Sequence, residues 1–191
     1  MCLGGHLAEP GVYMMPAKGG AISKISSEGQ NLMFSADGKK LFYTTETYEE
    51  SSLVTRLKSI DIETGKTNTH LKTPHADMGE LHVSPDMSWY SHRYFQNYYI
   101  ARFNKNWSDR KADPAKGRRV SPIGGYEATW SGEPSRFYWA VGPTVMRRDT
   151  AAASEAIAVA EIEAVISAHA PHGDLALING RIITMNGSKV I

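Results

Sequence analysis

Apolar and polar positions alternate in short runs along most of the chain, separated by small polar turns, and a period of two predicts strands rather than helices. Leu57-Lys-Ser-Ile-Asp-Ile-Glu63 alternates, breaks at Thr64-Gly65-Lys66 and resumes at Thr67-Asn-Thr-His-Leu71. Gly11–Pro16, Ala17–Gly20 and Ala21–Ile25 form the same strand, turn and strand. Tyr98–Phe103 begins another such pair, which crosses a long polar stretch through Lys116-Gly117 and returns at Arg118-Arg-Val120. Between these hairpins lies a second, more distinctive pattern. It reads Leu32-Met-Phe-Ser35-Ala-Asp37-Gly38-Lys-Lys-Leu41-Phe-Tyr43, then Leu81-His-Val-Ser84-Pro85-Asp86-Met-Ser-Trp89-Tyr90, then Ala128-Thr-Trp130-Ser131-Gly-Glu133-Pro-Ser-Arg-Phe137-Tyr138-Trp139.

Each copy is a strand, a tight turn on Ser-x-Asp/Glu and an aromatic-rich strand. Ser and Asp side chains accept hydrogen bonds from nearby backbone N–H groups, glycine supplies a positive φ, and the flanking aromatic and branched residues favour strands. Ser35 and Ser84 are 49 residues apart, and Ser84 and Ser131 are 47 apart. A period of that size indicates stacked repeats. With a second hairpin after each motif, one repeat makes a four-stranded sheet, the blade of a β-propeller. The expected fold is therefore all-β, a partial propeller of about three four-stranded blades.

These motifs also carry a family resemblance. Phe34-Ser-Ala-Asp-Gly-Lys-Lys-Leu and Val83-Ser-Pro-Asp-Met-Ser-Trp resemble the "SPDGK" repeats of TolB-type, WD40-like propellers, and Met14–Ser26 resembles their inter-blade hairpin. Leu175–Ile178, Asn179-Gly180 and Arg181–Met185 predict a further hairpin, because Asn-Gly between apolar runs favours a tight turn. "ALINGRIITMNG" within this stretch resembles the opening of metal-dependent amidohydrolases, where it starts a small β-sandwich beside a TIM barrel. The order of motifs is similar to a family of secreted, peptidase-like amidohydrolases that join such a propeller to such a barrel. The resemblance implies a partial propeller over residues 1–150, a linker over 151–172 and the start of the sandwich over 173–191. It also implies a divalent metal, zinc by family habit, in the intact enzyme, and a periplasmic or secreted location. The catalytic residues would lie beyond this chain. Its partners would be the missing barrel and remaining blades, with self-association through open sheet faces. An alternative reading is a non-catalytic TolB-like propeller that binds a protein.

The stretch from Asp149 to Ala168 is rich in Ala and Glu and has helical propensity. The resemblance favours an extended connection instead, with Ile162–Ser167 as a strand and any helix confined to residues 150–160.

Candidate chemistry is sparse. The chain of 191 residues has a formal net charge of +1, which gives no electrostatic basis for nucleic-acid binding. No apolar run is long enough for a transmembrane helix. Met1–Ala8 lacks the basic start and apolar core of a signal peptide, and reads as a start within a longer gene product. Cys2 is the only cysteine, so an internal disulfide and a Cys-based zinc site are excluded. The amidohydrolase barrel carries a His-x-His pair, and none occurs here. His169 and His172 are separated by Pro171 and followed by Gly173, which suits an exposed loop better than a metal site. His70, His75, His82 and His92 fall in blade sequence and suit packing. Asp37, Asp86 and Glu133 suit turn capping better than calcium, which needs about six or more oxygens. No Gly-x-Ser-x-Gly elbow is present. The Gly-Gly pairs at 4–5, 19–20 and 124–125 suit turns. Tyr94, Phe95, Tyr98, Tyr99, Tyr126, Trp130, Tyr138 and Trp139 could stack on a ligand, but suit inter-blade packing better. No catalytic, cofactor-binding or metal residue is expected in this chain.

Overall fold

The computed structural model describes residues 9–74, 76–132, 136–151 and 153–166, together with 173, 178–181 and 187. Nearly every described element is a strand. β1 (Val12–Met14) and β2 (Ser23–Ser26) form an antiparallel hairpin whose turn is closed by Gly19 N donating to Pro16 O at 2.9 Å. β3 (Gln30–Phe34), β4 (Lys40–Glu49), β5 (Ser52–Asp61) and β6 (Thr67–Lys72) then form the first blade in chain order. β7 (Met78–Val83), β8 (Trp89–Tyr94) and β9 (Asn97–Arg102) open the second blade.

The chain then leaves the second blade. β10 (Arg110–Lys111) pairs in parallel with β6 as a fifth strand of the first sheet, and the chain returns as β11 (Arg118–Arg119) beside β9. β12 (Tyr126–Trp130), β13 (Arg136–Val141), β14 (Thr144–Asp149) and β15 (Ile157–Glu161) form the third blade. Three successive four-stranded meanders, each stacked on the next, are a partial propeller.

The core lies between sheets. Val12 packs with Leu41, Tyr43 and Ile60, joining the first hairpin to the first blade. Phe42, Leu57 and Leu71 of the first blade meet Leu81, Val83 and Tyr90 of the second. Tyr98 and Ile100 of the second meet Trp130, Phe137 and Trp139 of the third, with the Tyr98 and Phe137 rings edge to face at 5.6 Å. Burying aromatic and aliphatic side chains between layers contributes roughly 1.5–3 kcal/mol each. Most of the aromatic residues expected to pack do so: Tyr98, Trp130 and Trp139 are buried, and Tyr94, Tyr99 and Tyr138 are half-buried. Phe95 and Tyr126 instead remain exposed.

The repeated turns are equivalent. Ser35 Oγ donates to Asp37 Oδ1 at 2.6 Å and accepts from Lys40 N at 3.0 Å, while Lys39 N donates to Asp37 Oδ1 at 3.1 Å. Ser84 Oγ donates to Asp86 Oδ1 at 2.6 Å and accepts from Trp89 N at 2.9 Å, while Ser88 N donates to Asp86 Oδ1 at 3.1 Å. The backbone closure also matches: Ser35 N to Lys40 O at 2.9 Å, Ser84 N to Trp89 O at 2.9 Å and Ser131 N to Arg136 O at 3.1 Å. Glu133 lies outside the described residues. The Asp37 and Asp86 carboxylates are thus spent on the turn, and the serine hydroxyl bridges both arms of the hairpin.

Both serines are buried, so Ser35→Ala and Ser84→Ala remove the hydroxyl acceptor of the Lys40 and Trp89 N–H groups respectively. Each should lower unfolding stability by about 1–3 kcal/mol. Urea unfolding of both variants beside Ser27→Ala, an exposed serine, checks this; equal midpoints for all three would refute the role given to the turn serines.

One expectation is corrected. No helix forms within the described part of 150–160; Ile157–Glu161 is strand β15, and Ile162–Ile166 carries no strand. The exposed edge of β14 supplies hydrogen-bond partners from Thr144 to Arg147, and pairing with it outweighs the intrinsic helix preference of the Ala/Glu sequence. The third sheet therefore extends through Glu161. The hairpin expected at Leu175–Met185 falls largely outside the described residues, although Asn179 has φ +60, the left-handed conformation of an Asn-Gly turn.

Candidate functional site

The first strands of the three blades adjoin one another, with β7 between β3 and β12. Each carries the same irregularity. Gln30 pairs with Thr44 but Met33 with Phe42; Gly79 pairs with Arg93 but His82 with Ser91; Tyr126 pairs with Ala140 but Thr129 with Tyr138. In every case three steps on the first strand match two on its neighbour, which defines a β-bulge.

The residue that enters the left-handed region is Asn31 (φ +54), Glu80 (φ +49) and Glu127 (φ +52), each four positions before the turn serine. Left-handed backbone costs a glutamate roughly 1–2 kcal/mol, and residues held there often mark functional positions. The bulges aim these three side chains at a common cavity of about 170 Å³ lined by Asn31, Glu80, His82, Glu127 and Ala128.

Its members differ in how far they are engaged. Glu80 Oε1 pairs with Arg93 Nε at 2.7 Å, and its Oε2 accepts from the Tyr98 hydroxyl at 2.5 Å. Burial, then the Glu80 contact, push the Tyr98 hydroxyl well above its ordinary pKa, so it remains a donor. The Asn31 amide donates to Thr44 Oγ1 at 3.0 Å. His82 is half-buried, and burial lowers its pKa to about 4 against the opposing charge of Glu127. At neutral pH the cavity therefore presents an exposed carboxylate, a neutral imidazole and an amide. That set can accept hydrogen bonds and favours a donor or cationic group, but it contains no nucleophile.

His70 and His92 are packed inside the blades. His92 lies flat between Tyr90 and Tyr99, with ring centroids 5.7 and 5.3 Å away. His70 Nε2 sits 2.8 Å from Ser59 Oγ and Nδ1 sits 3.1 Å from Asn68 Nδ2, a geometry that superficially resembles a serine, histidine and asparagine triad. The proton placement argues against it. The Asn68 amide also donates to Trp107 O at 3.2 Å, so its nitrogen is a donor and His70 Nδ1 accepts from it. Nε2 then carries the proton and donates to Ser59, the reverse of a general base. Ser59 and His70 are also both buried. His75, His169 and His172 lie outside the described residues.

Among the described residues no three His, Cys, Asp or Glu side chains gather closely enough to hold a metal ion, so these residues do not fit the metal of an amidohydrolase. No helix among them is long and apolar enough to cross a membrane.

No protein-family model matches the chain, and no curated protein matches it in sequence. Solved structures resemble it in part. One is a functionally unknown protein from Desulfotomaculum acetoxidans DSM 771, with 11% identity over 75% of this chain and 45% of that one, and a TM-score of 0.48. Two are 6-phosphogluconolactonase-like proteins. That from Bacteroides uniformis ATCC 8492 shows 13% identity over 75% of this chain and 44% of the other, with a TM-score of 0.41. That from Bacteroides fragilis NCTC 9343 shows 13% identity over 74% and 42%, with a TM-score of 0.42. The chain spans less than half the length of these structures. The propeller architecture itself rests on the three sheets and their matching turns and bulges.

Sequence reasoning missed the bulge residues. Glutamate carries no turn signal, so Glu80 and Glu127 look like ordinary polar strand positions. The available signal was positional: aligned on the motif serines, the fourth residue upstream is Asn, Glu and Glu.

Proposed function

We propose that this chain is the propeller-bearing part of a metal-dependent amidohydrolase acting on amide or peptide-like C–N bonds, with the catalytic residues beyond it. The observation that supports this reading is the order of parts: three blades with TolB-like turns, then the amidohydrolase-like sequence "ALINGRIITMNG". In such an enzyme the metal would polarise the scissile carbonyl and activate a water. The blades' share of the work is binding: the bulge residues present acceptors at the inner edge of the sheets, and the stacked sheets hold them in place. Exposed apolar residues on the first and third blades, Leu32 and Phe34 on β3 and Ile157 and Val159 on β15, would be covered by further blades or by a second copy. The second reading, a non-catalytic propeller that binds a protein, is favoured by the same cavity, which holds acceptors but no nucleophile.

The experiment compares residues 1–191 with the product of the reading frame extended past Ile191, each given an N-acyl dipeptide and zinc, with and without a chelator. The longer product should cleave the dipeptide and lose that activity on chelation, whereas residues 1–191 should not cleave it. Chelator-sensitive cleavage by residues 1–191 alone would overturn the placement of catalysis. A longer product with neither a His-x-His pair nor activity would leave the binding reading in its place.

A further inference from the structure

We propose that the cavity between the first and second blades, walled by the segment from Phe103 to Gly117, is a binding site for an organic phosphate. The inference is independent of the proposed function, because it concerns the outer side of the blades rather than the inner edge or the missing barrel.

The connection between the last two strands of a blade is short elsewhere. Residues 62–66 suffice in the first blade and 150–156 in the third, but in the second the chain uses residues 103–117. Long loops that are ordered in a compact domain commonly serve a function. This one is fastened at many points. β10 pairs with β6, Asp109 N donates to Thr69 O at 2.8 Å, and Ala112 N donates to Lys72 O at 2.8 Å. The Asp109 carboxylate lies 3.6 Å from Arg56 Nε and 3.4 Å from Lys72 Nζ. Asp113 caps the 3-10 turn Pro114–Lys116 by accepting from Ala115 N at 3.0 Å.

The result is a cavity of about 660 Å³ with Leu71, Tyr90, Ala101 and Ala112 among its apolar lining. Its rim carries Arg102, Arg110, Lys111 and Lys116, with Asp113 the only acid among the described lining residues. Asp113 pairs with Lys116 at 3.6 Å. Among the described residues, Arg102, Arg110 and Lys111 make no ion pair. Both guanidinium groups are nevertheless held: Arg102 lies 3.9 Å above the Trp89 ring and Arg110 4.6 Å above the Trp107 ring. Stacking fixes the plane of a guanidinium while leaving its N–H edge free for an anion.

Three unpaired cations beside one cavity, in a chain whose net charge is only +1, are a local concentration of positive charge. Packing alone does not require it, since like charges repel. Planar guanidinium forks recognise phosphate through paired hydrogen bonds, three cations suit a dianion, and the apolar lining suits an organic body beside it.

The test is calorimetric titration of residues 1–191 with phenyl phosphate, inorganic phosphate and benzoate. Phenyl phosphate should bind saturably with one site, and inorganic phosphate and benzoate should each bind at least about tenfold more weakly. Arg102→Gln and Arg110→Gln should each weaken phenyl phosphate binding by at least about tenfold, Arg102→Lys and Arg110→Lys should weaken it less, and Lys18→Gln on the first hairpin should leave it unchanged. Both arginines are exposed, so the variants should keep the wild-type unfolding midpoint, which is measured alongside. Absence of saturable binding, equal affinity for benzoate, or equal losses in the arginine and Lys18 variants would overturn the assignment.

Discussion

Gly125→Ala should destabilise the third blade by about 3 kcal/mol or more, enough to unfold much of a marginally stable protein at ambient temperature. An added Cβ would stand 2.3 Å from Trp139 Cδ1 and 2.9 Å from the Ala140 carbonyl oxygen, at φ +152. Trp139 cannot give way, because its ring is buried in the layer joining the second and third blades and stacks on Phe137 at 6.0 Å. The backbone carbonyl belongs to β13, paired on both sides with β12 and β14. Gly38→Ala is the matched control: its Cβ would meet nothing within 4 Å, and only the cost of φ +67 remains, about 1 kcal/mol. Met87 occupies the equivalent place in the second turn at φ +59, so the fold already accommodates a side chain there. Denaturant midpoints for the two variants decide the matter. Similar losses at Gly125 and Gly38 would mean that backbone conformation, rather than the close approach to Trp139, sets the need for glycine.

That contrast separates what the sequence discloses from what it conceals. Gly38 is legible, because it sits in a Ser-x-Asp-Gly turn whose chemistry is local. The same holds for Ser35, Ser84 and the hairpins at Thr64-Gly65-Lys66 and Pro16–Gly19, where nearby side chains satisfy nearby backbone groups. Gly124-Gly125 also reads as a turn, yet its constraint comes from distant residues: Gly124 approaches the Gln96 carbonyl and Gly125 approaches Trp139. β15 was concealed for a related reason. Ala156 to Ala160 carries helical propensity, and only the neighbouring edge of β14 makes it a strand. The candidate sites were concealed most completely. Arg102 and Arg110 become neighbours of one cavity because β10 crosses to another blade, a parallel pairing that a two-residue strand cannot announce.

Acidification from pH 7 to about pH 4 should remove roughly 6 kcal/mol of stability through His70 and His92, before the capped carboxylates begin to protonate. Burial lowers the pKa of both rings to about 4, with Lys40 reinforcing the shift at His70 and the Pro114 carbonyl weakly opposing it at His92. In the unfolded chain each titrates near 6.5. Between these values the unfolded state binds more protons, so their contribution is complete above about pH 6.5 and is lost as pH falls toward 4. A depression of about 2.5 pH units corresponds to about 3 kcal/mol per ring, and the pair approaches the whole stability of a typical domain. Asp37, Asp61 and Asp86 have lowered values, so their contribution is lost in a separate window, below the ordinary carboxylate range. His92 isolates the effect best, since the side chain is fully buried and desolvation is the largest cause of its lowered pKa. His92→Leu removes the polar atoms along with the titration. It should match or exceed wild type in urea at pH 7 and show about two-thirds of the wild-type loss at pH 5, because His70 and His82, both lowered to about 4 by burial, still titrate. Wild-type stability that is flat between pH 7 and 5, or a His92→Leu variant as acid-sensitive as wild type, would show that these rings are solvated and protonate in place.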